Sequence, residues 1–175
     1  MALPAAEAFE TPLGEIALDA VAIDGLRRFD AIVTWDEPHR REHGIEVELP
    51  FLQTVLGDFE LVPLVTGDAT AAEVAAILDA LWGDDTLVVV SSDLSHFHHY
   101  DTAARLDADT ADAIVGGRPQ DLGEGSACGR LGLIQGLMIA AHRRGQGLSL
   151  LDLRNSGDAS GGGDEVVGYG AFCSS

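Results

Sequence analysis

The chain has 175 residues, with 29 Asp and Glu against 10 basic residues, all of them Arg, and a formal charge of −19. Without lysine it cannot host a P-loop lysine, a Schiff-base lysine or a Ser-Lys dyad. Its acidity repels phosphate backbones and anionic membrane surfaces, so neither nucleic acid nor membrane is expected as a partner.

Alternation over Glu15 to Asp19 predicts a short strand, and Ala20 to Phe29 carries a helical pattern. The polar turn Asp36 to Arg41 leads into a helix from about His43 to Leu56, where Ile45, Leu49, Leu52 and Leu56 recur at spacings of three and four. Pro50 should bend that helix or mark its first turn. Phe59 to Val65 reads as a strand. Thr70 to Trp82 reads as a helix, with Thr70 and Glu73 spaced as a capping box, and Thr86 to Ser91 as a buried strand. Together these predict a β-α-β unit in a largely parallel sheet covered on both faces by helices. Helices follow over Asp101 to Val115 and from near Cys128 to Arg144. Two final strands, Leu148 to Leu153 and Glu165 to Phe172, flank a glycine-rich loop over Asn155 to Gly163. The fold class is therefore α/β, in one domain spanning 1–175 with a single core, since 46% of the residues are hydrophobic.

Ligands in such sheets bind beyond the strand C-termini. Ser91-Ser92-Asp93-Leu94-Ser95-His96 occupies that position, and there a carboxylate can fix an imidazole tautomer or both groups can face a ligand. Ser92, His96 and Asp93 could also be drawn as a hydrolase triad, but they are crowded in sequence and no Gly-x-Ser-x-Gly elbow is present. His98 and His99 read as a solvated turn. In Glu42-His43-Gly44-Ile45-Glu46, His43 and Glu46 share a helix face, as either an oriented base or a plain surface pair. Cys128 sits where a helix starts, a position that stabilises a thiolate, and is equally readable as a small buried hydrophobe. Cys173 reads as inert packing. Gly161-Gly162-Gly163 lacks the strand before and helix after of a phosphate cradle. Two cysteines make no disulfide framework, and no run of roughly 18 apolar residues follows a cationic leader, so a cytoplasmic location is expected.

Taken in order, Thr11-Pro12-Leu13-Gly14, Glu42 to Leu52, Ser91 to His96, Ala127-Cys128-Gly129, Asn155-Ser156-Gly157-Asp158 and Val166-Val167-Gly168-Tyr169 resemble the Memo family. Its prokaryotic members are called AmmeMemoRadiSam system protein B. The resemblance implies an α/β/α sandwich similar to class III extradiol dioxygenases and a mononuclear iron or copper pocket with redox activity. It places Cys128 on the cysteine metal ligand, Asp93 and His96 on the acid and histidine of the same pocket, and His43 on a further pocket histidine. In the dioxygenases a turn like Leu94-Ser95-His96 carries the catalytic base. The family's two histidine metal ligands lie in N-terminal segments resembling Pro-His-Ala-Gly-Tyr and Gly-Pro-Ser-His. Neither segment occurs here, so the chain is expected to begin just after them, to be the larger C-terminal part of the domain, and to expose an apolar sheet edge through which a second copy could pair.

Two main functions follow as expectations. One is a Memo-type metal-dependent oxidoreductase acting on a small molecule, with a functional link to radical-SAM and Ammecr-type proteins implied by the resemblance. The other is a non-catalytic scaffold that binds a small molecule or peptide without metal. A hydrolase is the remaining alternative.

Overall fold

The structure is a computed structural model that describes residues 1–123, 125, 126 and 131–174. It is mixed α/β, and its residues group into two compact units, Met1–Ala69 with Ala80–Ser91, and Thr70–Asp79 with Ser92–Ser175. No helix among the described residues is long and apolar enough to cross a membrane.

In the first unit, β1 (Ala2–Leu3) pairs in parallel with β4 (Val33–Thr34), and β2 (Ala8–Thr11) forms an antiparallel hairpin with β3 (Gly14–Ala17). Helix α1 (Ala20–Leu26) starts where the Asp19 carboxylate accepts the Ala22 amide at 2.9 Å, a side-chain cap for one of the unbonded first-turn amides. Its Ile23 and Leu26 are buried, as are Leu3, Ile16, Leu18 and Leu49 of the same unit. A short α2 (Glu37–Arg41) precedes α3 (Gly44–Leu56), which runs through Pro50 rather than ending there.

Two strand predictions fail in this unit. Phe59 to Val65 contributes only isolated bridges, Leu61 to Leu18 and Val65 to Ala2. Pro63 between them has no amide to donate, which interrupts a ladder. The apolar segment Thr86 to Ser91 is not a buried strand. Leu87 and Val89 are 61% and 46% exposed, and the segment joins no ladder among the described residues. The expected β-α-β unit is consequently absent from the described structure. Apolar composition determines what a segment can bury, but a strand exists only where a neighbour takes its backbone groups.

Helix α4 (Ala71–Leu81) belongs to the second unit through Asp79. Its predicted capping box is present: the Thr70 amide donates to Glu73 Oε2 at 2.8 Å, and the Glu73 amide to Thr70 Oγ1 at 3.3 Å. The Thr70 amide and hydroxyl hold the Glu73 carboxyl below its ordinary range. Strand β5 (His96–His98), helix α5 (Tyr100–Val115), a 3-10 turn at Pro119–Asp121, helix α6 (Leu131–Arg143), strand β6 (Leu148–Asn155), helix α7 (Ser156–Ser160) and strand β7 (Val166–Ser174) follow. The sheet order is β5-β7-β6, and both pairings are antiparallel. A largely parallel sheet was expected; β6 and β7 instead pair antiparallel because the chain returns after the short connection through α7, and β5 joins the far edge of β7, also antiparallel. Ala113, Ile114, Leu122, Ile134 and Met138 form a core under α5 and α6. α4 and α6 approach closely at Gly136, where a Cβ would lie 2.5 Å from Val74.

The expected loop over Asn155 to Gly163 contains a helical turn. Asn155 Oδ1 accepts the Gly157 amide at 2.9 Å, and Asp158 Oδ2 accepts the Asn155 amide at 2.9 Å, a reciprocal cap around α7. Cys173 is a free, exposed thiol on β7 rather than inert packing.

Candidate functional site

The second unit brings Asp93 and His96 together. His96 Nε2 meets Asp93 Oδ2 at 3.1 Å, and since an ionised carboxylate only accepts, the ring nitrogen facing it carries the hydrogen. His96 is the more enclosed partner, its side chain 21% exposed, while Asp93 is open to solvent. The ring also meets Phe97 edge-on, with centroids 5.3 Å apart.

Two backbone–backbone bonds and one bond from backbone to side chain hold the turn that carries the pair. The Leu94 amide donates to the Gly168 carbonyl, and the Gly168 amide to the Ser95 carbonyl, each at 2.9 Å. The Ser95 amide donates to Asp107 Oδ1 at 2.9 Å. Leu94, Ser95 and Asp107 are all buried. His96 then enters β5 opposite Val167, and His98 sits opposite Val166, with a register shift between them. Phe97, inside that irregularity, has φ of 58°. A bulky residue in the left-handed region is strained, and its position beside the imidazole places the strain at the site.

His43 belongs to the first unit, as the residue before α3. Its Nδ1 meets Glu46 Oε2 at 3.2 Å, the spacing read from the sequence, and its side chain is 80% exposed. Glu42 Oε1 accepts the Gly44 amide at 2.9 Å and so caps the helix start beside it. Cys128, predicted to open a helix, lies outside the described residues; α6 is described from Leu131. The hydroxyl of Ser92 donates to the Asp93 carbonyl at 2.9 Å, not to an imidazole, which removes the geometric basis of the triad reading. His99 is 3.9 Å from Asp164, an exposed contact consistent with a solvated turn.

Sequence reading missed Asp107, Gly168 and Phe97 as parts of the site. A signal for Asp107 was available: Ala103, Asp107, Thr110, Ala111 and Ile114 form one buried stripe of α5, so an acid stands on the helix's core face. Nothing in the sequence marks the backbone conformation of Phe97.

Among the described residues, no group of three or more His, Cys, Asp or Glu is placed to hold a metal ion. The described donors at the turn are one carboxylate and one imidazole, already bonded to each other. That is short of the three protein ligands a mononuclear site normally uses, so these two residues alone do not fit a metal.

The Memo-like protein family model matches residues 1–173. The chain is 37% identical to a MEMO1 family protein of Methanosarcina mazei, over 95% of this chain and 67% of the relative. It is 36% identical to one of Thermoplasma volcanium, over 94% and 64%, and 38% identical to one of Methanobrevibacter smithii, over 91% and 61%. The chain belongs to the Memo-like family. It spans about two thirds of the length of the curated relatives it matches.

Proposed function

We propose that the chain carries the acid/base side of a Memo-type redox-metal pocket, similar in fold to the class III extradiol dioxygenases. In this reading His96 accepts and returns a proton of a small-molecule substrate, and Asp93 holds the ring in the Nε2–H tautomer. Cys128 is one ligand of an iron or copper ion, and the remaining ligands come from outside the described residues. The metal would supply redox chemistry. The chain's own described residues supply an oriented imidazole and a turn rigid enough to hold it. The observation that supports this most is the 3.1 Å contact between His96 and Asp93 on a buried, backbone-tied turn. A paired imidazole of this kind is a common acid/base arrangement.

The experiment is metal loading of the full gene product with iron(II) or copper under anaerobic conditions, for the wild type and Cys128→Ser. About one metal ion per chain that is lost in Cys128→Ser supports the reading. Metal content near zero in both overturns it and favours the second reading, a scaffold that binds a small molecule or peptide without metal.

A further inference from the structure

Asp107 is the one acid among the buried polar residues that the structure describes, 2% exposed, on a helix face otherwise occupied by Ala, Thr and Ile. Burying a carboxylate is costly unless something in the fold uses it. Its Oδ1 accepts the Ser95 amide at 2.9 Å, while its Oδ2 and the Ser95 hydroxyl have no hydrogen-bond partner among the described residues. It packs where β7 offers no side chain: a Cβ on Gly168 would lie 2.0 Å from Oδ2. The same Gly168 bonds Leu94 and Ser95 through its carbonyl and amide. One carboxylate and one glycine backbone therefore clamp both sides of the residue that immediately precedes His96.

We propose that Asp107 is a positioning residue. By anchoring the Ser95 amide from α5, it holds the turn so that His96 meets Asp93 and so that Phe97 keeps its left-handed backbone. Two features separate this from ordinary core packing. An apolar residue would fill the position without the desolvation penalty of a carboxylate. Moreover, the bond is made to the backbone at the start of the His96 turn, where a small rotation would swing the imidazole off Asp93. The proposal rests on reading Asp93 and His96 as a functional pair, but not on metal, and its test uses metal-free protein. Loss of metal binding with an intact His96 signature would sink the metal reading alone.

The test is NMR of the full chain. In the wild type, the Ser95 amide exchanges at least tenfold more slowly than that of exposed Asp93, and the His96 ring nitrogens show a single Nε2–H tautomer. Asp107→Ala loses both features. Asp107→Asn, whose side-chain oxygen can accept the same amide, restores both, a recovery that mere filling of space does not predict. The proposal is overturned if Asp107→Ala folds and keeps the His96 signature, or if Asp107→Asn behaves as Asp107→Ala. Should neither variant fold, the wild type decides: a Ser95 amide that exchanges as fast as that of Asp93 means that the anchor is absent.

Discussion

Phe97 shows how strain and chemistry meet at one residue. Its φ of 58° costs an L-residue roughly 1–2 kcal/mol, and its side chain is 73% exposed, so little packing compensates. Glycine adopts this backbone freely but loses roughly 0.5–1 kcal/mol of chain entropy on ordering. Phe97→Gly should therefore stabilise the chain by up to about 1 kcal/mol in urea unfolding. It should also remove the ring that stands edge-on to His96 and loosen the imidazole, seen as broadened His96 ring resonances. A variant less stable than the wild type would show that the exposed ring contributes more than the strain costs. Neither the strain nor the Asp107 anchor follows from composition. Asp93 and His96 were legible because an apolar run ends in a polar turn at i and i+3, and His43 with Glu46 for the same spacing reason. The partial enclosure of His96 and the exposure of His43 depend on tertiary packing, which spacing does not encode.

The element scale is where capping rules served best. Thr70 with Glu73 was read from spacing and is present, whereas the equivalent Asn155 with Asp158 was overlooked because the glycines after it dominated the reading. That short helix is tied to α5 by Tyr100, whose hydroxyl donates to Asp158 Oδ1 at 2.6 Å. The bond, joined by the Asn155 amide, holds the Asp158 carboxyl below its ordinary range, and it raises the Tyr100 hydroxyl above its ordinary value. A depressed carboxylate contributes stability above its unfolded value, and that contribution fades as pH falls through the folded value. A raised phenol contributes below its unfolded value and loses this as pH rises through the folded one. The stability difference between the wild type and Tyr100→Phe, measured as urea midpoints across pH, should thus be widest near neutrality and shrink toward both acid and alkali. A difference independent of pH would show that the bond does not form in solution. Strands were less legible than helices. β6 and β7 were legible as runs bounded by glycine-rich turns, but Leu87 to Val90 is apolar without a ladder among the described residues, and hydropathy cannot supply a partner strand.

At the scale of the whole molecule, the charge of −19 and the exposed apolar side chains stand together. Repulsion among 29 acids opposes the compact state, and salt screens exposed charges over roughly 8–10 Å. Raising sodium chloride from low to molar concentration should increase the melting temperature by several degrees; a decrease would mean that its ion pairs outweigh the repulsion. The family was legible because six separated motifs keep their order, a coincidence that packing alone does not produce. The proposed metal chemistry is less legible: it depends on Cys128, which lies outside the described residues, and on donors that the described residues do not assemble. The central claim, that this turn serves a metal pocket with a cysteine ligand, is tested most directly by X-ray absorption at the metal edge of the iron- or copper-loaded full gene product. A sulfur donor that disappears in Cys128→Ser is the predicted result. A shell of oxygen and nitrogen alone, unchanged by that substitution, would contradict it.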